Sequence, residues 1–129
     1  MTFIQRVKDL GLPLDQLVVI GSGLLDVYGL RSADDIDLVV SESLYDSLKI
    51  RRDYQESTKH DERCLTADKV EVWQTWGAGY EFKVLLSNAV TIDGVSFISP
   101  DLLIVKKREL GRDKDLNDIK LLEQYLHDH

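Results

Sequence analysis

The chain has 129 residues, of which 43% are hydrophobic and 30% charged, with a formal net charge of −7. That length suits one domain spanning residues 1–129 and is short for two, and the composition excludes low-complexity and fibrous classes. No apolar run reaches the length of a membrane helix, the first residues lack the apolar stretch of a secretory signal, and the acidity weighs against non-specific nucleic-acid binding, so a cytoplasmic protein without membrane contact is expected.

In chain order, residues 2–10 suit a short helix stopped by Gly11, Leu12 and Pro13. Leu17-Val18-Val19-Ile20 reads as a buried strand that ends at Gly21-Ser22-Gly23. Ser22 is placed to cap a helix running to about Tyr28, with Gly29 as its stop. Asp35 to Val40 forms a second strand beside the first, and Ser43 with Asp46 opens a helix to about Arg51 in the manner of a capping box.

The polar residues 52–60 read as a surface loop, and 62–66 and 69–76 as antiparallel strands about Ala67-Asp68, broken by Gly77-Ala78-Gly79. A short helix over 80–87 follows. Asp93-Gly94 then joins 89–92 to 95–98 as a hairpin. Ser99 and Pro100 supply cap and first residue of a helix to about Leu110. A last helix from about Asp113 to Leu126 sets Leu116, Ile119, Leu122 and Leu126 on one stripe. The sum is a mixed α/β (α+β) domain with a small sheet flanked by helices.

Chemistry concentrates at two strand ends. Residues two apart on a strand share a face, so Asp35 and Asp37 present paired carboxylates while Ile36 and Leu38 turn to the core. Such a pair suits two divalent cations about 4 Å apart. Gly21 lets backbone approach a phosphate closely, and Ser22 adds a hydroxyl donor. Each signal has a plain structural alternative, a polar strand end in one case and glycine packing in the other. Their proximity couples them, because consecutive strand ends bring phosphate cradle and carboxylates together. Lone Cys64 cannot form an internal disulfide, and histidines 60, 127 and 129 lie in a charged loop or tail, which argues against a cysteine nucleophile. The carboxylates also lack the spacing of a calcium loop.

The stretch VVIGSGLLDVYGLRSADDIDLVV, Val18 to Val40, resembles the nucleotidyltransferase superfamily, in the subgroup that includes antibiotic nucleotidyltransferases and the nucleotidyltransferase-like toxins of toxin-antitoxin systems. Its pattern is an apolar residue, Gly, then Gly or Ser, a spacer, and Asp-apolar-Asp; here twelve residues separate Ser22 from Asp35. Gly29-Leu30-Arg31 looks like the subgroup's Gly-x-Arg helix ending. Residues 99–122, SPDLLIVKKRELGRDKDLNDIKLL, are similar to its Ser-Pro helix with a lysine ahead of Gly-Arg-x-Lys-Asp, which places Lys107, Arg112, Lys114, Asp115 and Asp118 at motif positions. The chain departs from the pattern at Ala33, where the subgroup often has Thr, and at Asp26, where it is small or apolar.

The resemblance implies a nucleotidyltransferase fold that moves a nucleoside monophosphate from a nucleoside triphosphate, ATP foremost, to a hydroxyl acceptor with release of pyrophosphate. Asp35, Asp37 and a third carboxylate, for which Glu71 in the alternating run Lys69 to Trp73 is the candidate, would hold two Mg²⁺ (or Mn²⁺) ions, with Glu71 also a candidate general base. Gly21, Ser22, Arg31, Lys107, Arg112 and Asp115 would line the nucleotide site, with Lys107 and Arg112 neutralising triphosphate charge. For residues 106–118 a solvated face with Lys114 and Asp118 as an i,i+4 pair is the alternative. The acceptor is open among a small molecule, a protein and tRNA. A catalytically weak or inactive module of the same fold, binding a nucleotide or regulating a partner as a toxin-antitoxin component, is the alternative function.

Overall fold

The computed structural model describes all residues from Met1 to His129. Its elements are α1 (Phe3–Lys8), a single 3₁₀ turn (Leu14–Gln16), β1 (Leu17–Ile20), α2 (Gly23–Val27), β2 (Ile36–Val40), α3 (Glu42–Lys49), β3 (Gln55–Lys59), β4 (Glu62–Ala67), β5 (Val70–Trp73), α4 (Phe82–Ser87), β6 (Val90–Ile92), β7 (Val95–Phe97), α5 (Pro100–Leu110) and α6 (Asp113–Asp128). The seven strands form one mixed sheet in the order β3-β4-β5-β2-β1-β7-β6. β1 runs antiparallel to β2 and parallel to β7, and β2 runs parallel to β5.

All four residues of β1 are buried, so the sheet is covered on both faces at its centre. Helices α1 and α2 pack on one another and against β1 and β7, with Phe3 and Phe97 rings 6.2 Å apart. A continuous core of 30 buried residues results. No helix is long and apolar enough to cross a membrane.

Local rules account for most boundaries. Ser99 accepts from the Leu102 amide at 3.3 Å, Pro100 occupies the first turn, and Gly111 closes α5 in the left-handed region. Asp93 and Gly94 both have positive φ, the twisted two-residue turn of a tight hairpin.

Four readings of the sequence are corrected. The 52–60 loop contains β3, whose Gln-Glu-Ser-Thr-Lys side chains are almost all exposed; an edge strand has no core face to imprint alternation, and its charge protects the open edge. The cap of α3 is Ser41, accepting from Leu44 N at 3.1 Å, whereas the Ser43 hydroxyl bonds Gln16. The last strand of the 69–76 run ends at Trp73. Helix α6 is rolled so that Asp115, Asp118, Ile119 and Leu122 face inward, while Leu116 and Leu126 are 46% and 38% exposed. The roll follows from Lys107 and Arg31, which bind the two inward aspartates.

Candidate functional site

Because β1 and β2 are antiparallel, the end of β1 meets the start of β2, and Ile20 is paired with Asp37. Asp37 is in turn paired with Glu71 across the parallel ladder to β5. Three adjacent strands therefore bring the Gly21-Ser22 turn, Asp37 and Glu71 into one row, with neighbouring backbones about 4.8 Å apart. Asp35 precedes β2 on a loop fastened from several sides. Arg6 donates to the carbonyls of Ala33 and Asp34 at 3.0 and 2.6 Å, and Lys69 pairs with Asp34 at 3.2 Å. Asp26 and Ala33 meet here: the Asp26 carboxylate accepts from the Ala33 amide at 2.8 Å. Asp26 thus anchors the loop at the position where a threonine is absent.

Gly21 is required twice over. Its φ of +70° is costly for any residue with a Cβ, and a Cβ built there would stand 2.7 Å from Asp37 Oδ2. The turn backbone lies directly against the carboxylate. Ser22 occupies the position before α2 but makes no capping bond, contrary to expectation. Its oxygen instead accepts from Arg31 Nη2 at 2.5 Å, which leaves the hydroxyl proton for another acceptor.

Arg31 also grips Asp118 with two bonds of 2.6 and 2.8 Å. It therefore orients Ser22 from behind and ties the turn to α6. Lys107 is only 4% exposed and donates to Asp118 at 2.9 Å, with Asp115 at 3.7 Å. Arg112 holds Asp115 through its side chain at 2.6 and 3.2 Å and its backbone amide at 3.2 Å, so that the Asp115 carboxylate satisfies the amide at the start of α6. Burial opposes ionisation of Asp115 and Asp118, yet hydrogen bonds from Arg112 to the first, and from Arg31 and Lys107 to the second, hold both below the usual carboxylate range. The alternative of a Lys114–Asp118 pair on a solvated face does not form, because Asp118 points inward to this network and Lys114 is exposed.

Every residue expected at the site lines one cleft of about 530 Å³. A second cleft of about 450 Å³ opens on Asp34, Asn117 and Asp118 and shares Ser22, Arg31, Asp35, Asp37 and Lys114 with the first. The Asp35–Asp37 pair stands where the two clefts meet. Compared with known proteins, the chain matches no family model, no curated protein and no solved structure.

Burial pushes Asp37 up to about 6, and the charges of Glu71 and then Asp35 add to the rise against the pull of Lys59 and Lys107. A carboxyl that resists ionisation because other carboxylates crowd it is one that a cation would relieve. As the side chains stand, no three acidic, histidine or cysteine groups converge on one point, and Glu71 is turned into an ion pair with Lys59. The donor set nevertheless has the hard oxygen character that Mg²⁺ and Mn²⁺ take.

Sequence reasoning passed over several lining residues. His60 and Glu62 reach the cleft from the β3–β4 turn, where His60 and Asp61 both have positive φ. Trp73, Thr75, Trp76 and Lys106 line it as well. The alternation that nominated Glu71 carries Trp73 on the same face. Cys64 is buried in β4, away from the cleft lining.

Proposed function

We propose that the sheet is a version of the nucleotidyltransferase fold and that the protein transfers a nucleoside monophosphate from a nucleoside triphosphate to a hydroxyl acceptor. The observation that carries this reading is the row Ile20–Asp37–Glu71 with Gly21 against Asp37, which sets a glycine turn beside two carboxylates on adjacent strands. Asp35, Asp37 and Glu71 would hold divalent cations, Mg²⁺ or Mn²⁺. When bound, such ions activate the attacking oxygen and neutralise charge on the departing pyrophosphate.

The residues do the rest. Gly21 leaves the backbone open to the phosphates, Ser22 donates its hydroxyl proton to a phosphate oxygen, and Glu71 takes the proton of the acceptor hydroxyl. A bond forms between that oxygen and the α-phosphorus, and the bond to pyrophosphate breaks. The second cleft offers the acceptor a separate approach to the carboxylate pair, from the side of Asp34 and Asn117. Transfer of label from α-labelled ATP, or pyrophosphate release, with Mg²⁺ or Mn²⁺ tests the proposal, with Asp35→Asn and Asp37→Asn as controls. Absence of both turnover and binding across the four common nucleoside triphosphates with either metal would sink it.

A second reading, a nucleotide-binding or regulatory module without transfer, is favoured by one observation. Lys107 and Arg112, the cations expected to meet the triphosphate, are engaged by Asp115 and Asp118. Metal-dependent nucleotide binding that persists without transfer to any supplied acceptor, including a partner protein, would select it.

A further inference from the structure

Both tryptophans of the chain line the larger cleft, although this chain has only two. Only four of the residues lining that cleft are hydrophobic, and two of them are indoles that pack against the core on one side and line the cleft on the other. Trp76 is pinned in place. Lys106, whose side chain is 14% exposed, lies 5.7 Å from the Trp76 ring and 5.1 Å from Tyr80, and Tyr80 meets Trp76 edge-on at 6.4 Å.

Trp73 differs. It takes part in none of the aromatic or cation–π pairs of the fold, and it is half-buried, with its backbone held in the ladder opposite Val39. It stands two residues after Glu71 on the same face of β5, about 7 Å along the strand. One sugar separates the phosphate of a nucleotide from its base, and one side-chain repeat separates Glu71 from Trp73.

We propose that Trp73 is the stacking platform for the nucleobase of the triphosphate, with Trp76 and Lys106 closing the end of that subsite. This rests on the nucleotide reading of the same cleft. The ring belongs to the donor and not to the acceptor, because the phosphate turn, Lys106, Arg112 and both tryptophans share one cleft, whereas the second cleft contains neither tryptophan. Stacking on an indole is tolerant of base identity, since every base presents a π-face.

The test titrates the full chain, with Mg²⁺, against ATP and against inorganic tripolyphosphate, following tryptophan emission and heat of binding together. ATP is expected to change the emission and tripolyphosphate to bind without doing so. Trp73→Leu keeps an apolar side chain against the core and is expected to weaken ATP by about 5- to 150-fold while leaving tripolyphosphate unchanged. Trp73→Phe keeps a π-face and is expected to stay close to wild type for both. If Trp73→Leu and Trp73→Phe bind ATP alike while ATP and tripolyphosphate still bind, the subsite assignment falls and the nucleotide reading stands. If neither ATP nor tripolyphosphate binds the wild-type chain, both fall.

Discussion

Replacing Asp37 with Asn removes a charge that the fold carries at a cost. Burial, then repulsion from Glu71 and Asp35, lifts this carboxyl from an ordinary 3.8 to about 6. A carboxyl raised in the native state contributes stability that is fully present below the unfolded value and is lost as pH climbs to the folded one. The loss therefore runs from about pH 4 to about pH 6 and is complete above that. At 1.36 kcal/mol per decade, the span amounts to a ceiling of about 3 kcal/mol. Near pH 4 the Asp37→Asn variant should match the wild type in urea unfolding. At pH 7.5 it should be more stable by up to about 3 kcal/mol, roughly 10 °C in Tm for a domain of this size. Saturating Mg²⁺ should narrow that gap, since a cation that binds only the native wild-type site stabilises it by mass action. A gap that is absent, or equal at pH 4 and pH 7.5, would refute the account of Asp37 as a crowded carboxylate.

The same linkage predicts that Mn²⁺ affinity, followed by calorimetry, is flat above about pH 6 and falls up to about tenfold per pH unit below it, as the cation must displace the proton on Asp37. Gly21→Ala places a methyl 2.7 Å from Asp37 Oδ2 at a φ of +70°, so the variant should lose about 1–2 kcal/mol in denaturant and most of its metal-dependent nucleotide binding. Lys107→Met removes one cation from the buried pair and leaves Asp118 to Arg31 and Asp115 to Arg112; unfolding free energy should drop by about 1.5–3 kcal/mol, with partial recovery when Asp118→Asn is added.

How far the fold could be read from the chain depended on whether a residue's neighbours were local. The Gly21 turn and the strand from Ile36 to Val40 were legible because apolar runs flank or fill them and short-range rules govern glycine and alternation, although Asp35 proved to lie on the loop just before the strand. Ser99, Pro100 and Gly111 followed the same logic. Strand β3 was not legible, since Gln55 to Lys59 sit at a solvated edge where burial leaves no period. Nor was the roll of α6. Leu116 and Leu126 matched an apolar stripe, but Arg31, on a loop 87 residues away from Asp118, and Lys107 on α5 turned the aspartates inward instead. At the site, the placing of the carboxylates beside the Gly21-Ser22 turn was legible, whereas the engagement of Lys107 and Arg112 by buried aspartates was not, because charge spacing on a helix does not say which face is covered.

The bond from Arg31 to Asp118 has a consequence for the order of assembly. Synthesis delivers the turn, Arg31, Asp35, Asp37 and Glu71 within the first 71 residues, but Asp118, which holds the Arg31 that steadies Ser22, waits on a helix that begins only at Asp113. A nascent chain still in the ribosome can pair β1, β2 and β5 without a fastened Gly21-Ser22 turn. The fastened form of the turn therefore arrives late, when the last helix docks.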